Sequence, residues 1–314
     1  MEIRVRAPAK IILAGEHAVV HGSTAVAAAI DLYTYVSLSF LSPSENDQTL
    51  KLQLKDVPLE FSWPVARIRD AFPNLDSSVA SSPSSCSLET LKSIASLVEK
   101  QKIPEANIGL ASGVSAFLWL YTSILGCKPA KAVVHSELPM GAGLGSSAAL
   151  CVALSAAILS LSDSISIDFS QKGWQTFRDS ELELVNKWAF EGENIIHGKP
   201  SGVDNTVSTY DDLAITEKEE KMGELMEMNQ GLLQCMGVSH SSIETVLRTT
   251  AKYKLYSKLI GAGGGGCVLT LLPTLLSGTV INKVIAELEA CGFQCLIAGI
   301  GGSGVEVSFT GASW

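Results

Sequence analysis

The stretch Pro139–Ala149, PMGAGLGSSAA, constrains this chain more than any other. Glycines at 141, 143 and 145 permit a tight bend and a close backbone approach to a ligand, because no Cβ stands in the way. Ser146 and Ser147 follow, and then Ala148–Leu161 runs on without a charge or a helix breaker. Upstream, Ala132–Val134 reads as a short strand. A helix N-terminus offers unpaired N–H donors and the positive end of the macrodipole. Strand, glycine loop and helix in this order describe a phosphate cradle, although a serine-capped glycine turn fits the same letters.

Bulk properties narrow the ligand. The net charge of −9 argues against a nucleic-acid or anionic-membrane partner, since phosphate backbones select basic surfaces. A local phosphate site survives that test, because backbone amides and one lysine suffice. A chain of 314 residues is long enough for two domains or one large one. Seven scattered cysteines with no CxxC pair read as reduced thiols. The start lacks the apolar core of a signal peptide, and no run of about 18 apolar residues reads as a membrane span. These features predict a soluble, cytoplasmic protein.

Along the chain, residues 2–6 alternate and predict a strand ended by Pro8, with a second short strand at Ile11–Leu13. Residues 25–40 are rich in β-formers, 41–50 is turn-like, and alternation at Leu50–Leu54 suggests a hairpin. Ser77–Ser87 reads as a loop. Periodicity predicts helices over Leu88–Lys100, Gly113–Leu125, Ser180–Ile196, Glu224–Met236, Ser239–Tyr253 and Val280–Ala290. Strands are expected over Cys267–Leu272, Phe293–Ala298 and Val305–Phe309. The charged segment 211–223 marks a domain boundary.

Candidate site residues lie far apart. Lys10 is either a solvated strand-end lysine or a phosphate or substrate contact. Glu16 and His17 suggest a polar pocket edge and are too few for a zinc site. Glu193 near one helix end and Asp204 beyond a tight connection can divide labour, one holding a metal and one accepting a proton. Equally, Glu193 can be solvated and Asp204 can answer a helix dipole. Gly261–Gly266 spells GxGxxG but opens a strand, which counts against a dinucleotide site. It suits a flexible backbone reaching a ligand from a second domain.

Three segments in order, PAKIILAGEHAVVHG at 8–22, PMGAGLGSSAA at 139–149 and GAGGGGC at 261–267, resemble the signature motifs of the GHMP kinases. GEHAVVHG with NKWAFEGENIIHGKPSGVDNTVSTY at 186–210 is similar to the mevalonate kinase branch of that family. The resemblance implies a two-domain α+β fold. Residues 1–212 would form an N-terminal α/β domain with the glycine-rich phosphate loop and helix, and residues 213–314 a ferredoxin-like α/β sandwich, incomplete here. It implies transfer from ATP to the mevalonate 5-hydroxyl with Mg²⁺, and an often dimeric assembly. Nucleotide contacts would fall to Lys10, Ser136, Gly141, Ala142, Gly143, Leu144, Gly145, Ser146 and Ser147. The resemblance assigns metal to Ser147 and Glu193, general base to Asp204, and a catalytic neighbour to Lys10. Glu16, His17, Asp204, Gly261 and Ala262 match substrate positions, and Asp56 aligns loosely with one near the base.

Two departures from the family's pattern carry expectations. Ile260 stands where a threonine usually precedes GAGGGGC, which removes a hydroxyl. After Tyr210 the chain reaches Thr216-Glu217-Lys218 almost directly, so several dozen residues are absent, including the first strand of the C-terminal domain and a threonine-bearing stretch near the substrate. An unpaired sheet edge and an uncovered apolar face should result. The rivals to a mevalonate kinase are another GHMP small-molecule kinase and a chain that binds ATP but is impaired in transfer.

Overall fold

The computed structural model describes residues 2–16, 25–41, 48–72, 82–139, 141–162, 164–165, 171–210 and 219–309. His17 and the boundary near residue 212 lie outside them. β1 (Glu2–Ala14) is one long strand, with Ile3, Val5 and Ala7 buried on one face and Arg4 and Arg6 on the other. The break expected at Pro8 does not occur. β2 (Val26–Phe40) pairs antiparallel along β1, and the register slips between Pro8 and Ala9. On the other side, β9 (Glu306–Phe309) pairs only as far as Arg6. The proline therefore sits at a bulge, past one ladder's end, where a missing donor is tolerated.

The remaining strands of this sheet are β3 (Thr49–Leu54), β4 (Leu59–Pro64), β5 (Ala130–Ser136) and β6 (Gln175–Thr176). The order is β4-β3-β5-β2-β1-β9-β6. Leu50–Leu54 does form a hairpin, but with β4, because β5 inserts between β3 and β2. The connection from β2 to β3 is far longer than the tight turn that forces adjacent strands to pair.

Helices α1 (Val65–Ala71), α2 (Leu88–Glu99), α3 (Leu110–Leu125), α4 (Ser146–Ser160), α5 (Asp179–His197) and α6 (Val203–Thr209) complete this half. Apolar on every side, α4 is enclosed by β1, β2, α3, α5 and α6. At Gly192 on α5 an added Cβ would stand 2.9 Å from Cys151 Sγ of α4 and 3.1 Å from Leu120 Cδ1 of α3. That close approach seats the end of α5, and Glu193 with it, against the start of α4.

The second half holds α7 (Glu219–Cys235), α8 (Ser241–Ala251), β7 (Ser257–Ile260), β8 (Cys267–Thr270) and α9 (Gly278–Ala290). β7 and β8 make a two-stranded antiparallel sheet. Leu233, Ile243 and Leu259 form one small core there, and Val246, Leu255, Val284 and Leu288 another. The strand expected over Phe293–Ala298 does not form, and Leu296 and Ile297 are exposed. A strand needs a hydrogen-bonded neighbour, and among the described residues the sheet of this half consists of β7 and β8 alone. The chain then returns to the larger sheet, where Ile300 bridges Ile30 and β9 flanks β1.

An uncovered apolar face is present as well. Leu225, Met228, Leu232 and Met236, spaced three to four apart on and just past α7, are each more than half exposed. Such a stripe drives self-association. Replacing Met228 and Leu232 by Glu is expected to change unfolding stability by less than about 1 kcal/mol. Light scattering at rising protein concentration should show less association than in the unaltered chain.

Candidate active site

Lys10 points inward from β1 and is only 4% exposed. Its backbone N–H donates to Leu144 O at 3.0 Å, which ties the glycine loop to the strand. Its ammonium stands 3.1 Å from Asp204 Oδ1 and donates to Gly143 O at 3.4 Å. The loop passes so close that a Cβ on Gly145 would meet Lys10 Cγ at 2.8 Å, and Gly145 also has φ +73°. Glycine is required there on both counts. Asp204 lies in the first turn of α6, entered through left-handed Gly202, while Ser201 Oγ accepts from the Val203 N–H at 3.3 Å.

The first turn of α4 supplies Ser147, whose Oγ is 2.9 Å from His197 Nε2 at the end of α5. Glu193, one turn before His197, is buried, and its Oε1 has no hydrogen-bond partner among the described residues. Burial raises the pKa of its carboxyl, and the charge of Asp204 adds to the rise. The Ser147 hydroxyl and His197 oppose it. Burial and Glu193 also push the Cys151 thiol well above its usual range. A buried carboxylate oxygen without a partner, next to a hydroxyl, suits a hard divalent cation. The donor set therefore fits Mg²⁺.

Gly261 and its successors close the site from the other half. A Cβ on Gly143 would lie 3.2 Å from Ile260 O and 3.3 Å from Gly261 Cα, so the two loops touch backbone to backbone. Between them is a cavity of about 290 Å³, lined by Gly141, Ala142, Gly143, Ala262 and the glycines that follow. It is walled almost entirely by main chain, as phosphate recognition by N–H groups requires. Ile260 packs in the main core, its carbonyl abuts Gly143, and the residue also borders this cavity.

Of the residues expected at a site, Lys10, the Gly141–Ser147 loop, Glu193, Asp204, Gly261 and Ala262 converge. Ser136 stands apart from the loop's contacts: its Oγ pairs with Thr34 Oγ1 at 2.9 Å, and its N–H donates to Asp56 Oδ2 at 2.7 Å. Asp56 Oδ1 in turn holds His135 Nδ1. Glu16 is buried against Lys258. A second cavity, about 690 Å³, lies along α5 and α6 and is lined by Glu183, Asn186, Lys187, Phe190 and Asn205 among others. None of the expected site residues borders it. Sequence reasoning did not single out His197 or Lys258, and a lysine inside the apolar stretch just before a glycine loop was the available signal for the latter.

Residues 113–212 match the GHMP kinases N terminal domain and residues 213–277 the GHMP kinases C terminal. A mevalonate kinase of Arabidopsis thaliana is 53% identical over 383 aligned positions, covering 98% of this chain and 100% of that protein. The chain belongs to the mevalonate kinase branch of the GHMP kinase family. A mevalonate kinase of Homo sapiens is 34% identical over 96% of this chain and 94% of its own length. The solved mevalonate kinase of Methanococcus jannaschii shares the fold, with a TM-score of 0.62 at 17% identity and 98% coverage of both chains. The Arabidopsis alignment spans 383 positions against 314 residues here, so several dozen positions of that mevalonate kinase have no counterpart. No helix among the described residues is long and apolar enough to cross a membrane.

Proposed function

We propose that this chain transfers the γ-phosphoryl group of ATP to the 5-hydroxyl of mevalonate, with residues 1–212 as the catalytic domain and 213–314 as the closing domain. The observation that carries the reading is the Lys10–Asp204 contact at 3.1 Å beside the glycine loop. Phosphoryl transfer needs positioning and charge neutralisation more than covalent chemistry. Asp204 accepts the proton of the attacking hydroxyl, and Lys10, 3.1 Å from it, orients the carboxylate and balances negative charge on the transferring group. The N–H groups of Gly141–Ser147 and the start of α4 hold the triphosphate. The family resemblance assigns Ser136 to the nucleotide and Glu16, His17, Gly261 and Ala262 to mevalonate. Ser147 and Glu193 would hold Mg²⁺, which supplies neutralisation of the phosphate oxygens when bound.

Replacing Glu193 by Gln should raise the Mg²⁺ concentration for half-maximal rate by about tenfold or more. A magnesium titration of initial rates checks this, and an unchanged midpoint would remove Glu193 from the metal site. All seven cysteines are free, which suits a reducing compartment, so we extend the reading to a cytoplasmic enzyme, and the exposed apolar stripe on α7 suits the homodimer that the resemblance implies.

A second reading, ATP binding without transfer, rests on the several dozen positions without counterpart and is not favoured by a relationship that spans nearly the whole chain. A panel of mevalonate, phosphomevalonate, galactose and homoserine with MgATP tests both. Mevalonate alone should stimulate ADP release. Preference for another alcohol would replace the substrate, and stimulation by none would favour the second reading.

A further inference from the structure

Lys258 has no task in the reaction just described, yet it is among the most enclosed side chains in the protein. It lies on β7 with no exposed surface. Its ammonium donates to Ile12 O of β1 at 3.0 Å, to Leu259 O at 2.8 Å and to the carboxylate of Glu16. The pair is buried on both sides, and Glu16 Oε2 has no hydrogen-bond partner among the described residues. Burial lowers the pKa of Lys258 and the nearby charge of Lys10 adds to the effect, while Glu16 opposes both.

The position of this cluster gives it a consequence. Ile12 is two residues beyond Lys10 on β1. On β7, Ile260 O and Gly261 follow Lys258 by two and three residues and press on Gly143 of the phosphate loop. One ammonium thus joins the strand that carries Lys10 to the strand that launches the second glycine loop. An apolar side chain could fill the same space, but it could not bridge those acceptors.

We infer that Lys258 is a positioning residue that clamps the second glycine loop to β1, so that Gly261 stays against Gly143 and the phosphate loop keeps its register with Lys10. Glu16 then acts through Lys258 by fixing its ammonium. The kinetic part of this inference rests on the phosphoryl-transfer reading, and the nucleotide-binding part does not.

The test compares Lys258→Met with the Glu16→Gln/Lys258→Met pair. The single variant leaves an unpaired buried carboxylate and should lower Tm by about 10 °C. Removing both charges should recover most of that loss, because a neutral pair leaves no buried charge uncompensated. Positioning should not recover. In the double variant MgATP, measured by calorimetry, should bind about tenfold more weakly, and kcat should fall by about tenfold or more. Recovery of Tm, affinity and kcat together would overturn the inference and leave the pair a packing feature. If the unaltered chain binds MgATP without turnover, the transfer reading fails and the affinities still decide the clamp. An unaltered chain that binds no MgATP overturns both.

Discussion

Replacing Asp204 by Asn should lower kcat by about 10³-fold while leaving MgATP affinity within a few-fold of the unaltered chain. Asparagine keeps the shape of the side chain but cannot accept the hydroxyl proton, and it removes the carboxylate 3.1 Å from Lys10. The triphosphate contacts belong to the glycine loop and to α4, so nucleotide binding should survive. Lys10 is only 4% exposed and loses its ionic partner while keeping an amide oxygen to donate to, so the variant should cost about 1–3 kcal/mol of stability. Coupled ADP-release kinetics and MgATP calorimetry read the two effects separately. Equal turnover in the variant would remove Asp204 from the reaction.

The second large effect is expected at Gly145. Alanine there must adopt φ +73° and set its Cβ 2.8 Å from Lys10 Cγ. The left-handed conformation costs about 1 kcal/mol, and relieving the clash should bring the total to about 2 kcal/mol. Lys10 must then shift away from Asp204, and a displacement of that size costs about 10²-fold in kcat. Gly126 offers the control. It has φ +71° at the end of α3 and nothing within 4 Å of an added Cβ. Gly126→Ala, at ψ −151° in a region open essentially to glycine alone, should lose about 1–3 kcal/mol and keep its kcat. Similar kcat losses in both variants would mean that strain, and not the Lys10 contact, explains the result.

What could be read from the sequence was local. The glycine loop and α4 follow from adjacent residues, and the long helices from their periodicity. The meeting of Lys10, Glu193 and Asp204 depends on α4 and α6 packing beside β1 with α5 against α4, which spacing does not encode, so it was reached through motif resemblance. Pairings between distant segments were hidden for the same reason. β3 skips β2 because β5 arrives from much later in the chain, and β9 returns to β1 from the far end. Lys258 and Glu16 are 242 residues apart. Phe293–Ala298 reads as a strand from its short apolar run, yet stays irregular in the structure. The four-residue strand β7 was too short to show a period.

A catalytic set assembled in this shortened chain should still transfer phosphate. The direct measurement is ADP release at saturating MgATP, with and without mevalonate. Release should depend on mevalonate, match the phosphorylated product mole for mole, and disappear in Asp204→Asn. MgATP binding accompanied by ADP release that is the same with and without mevalonate would contradict that expectation.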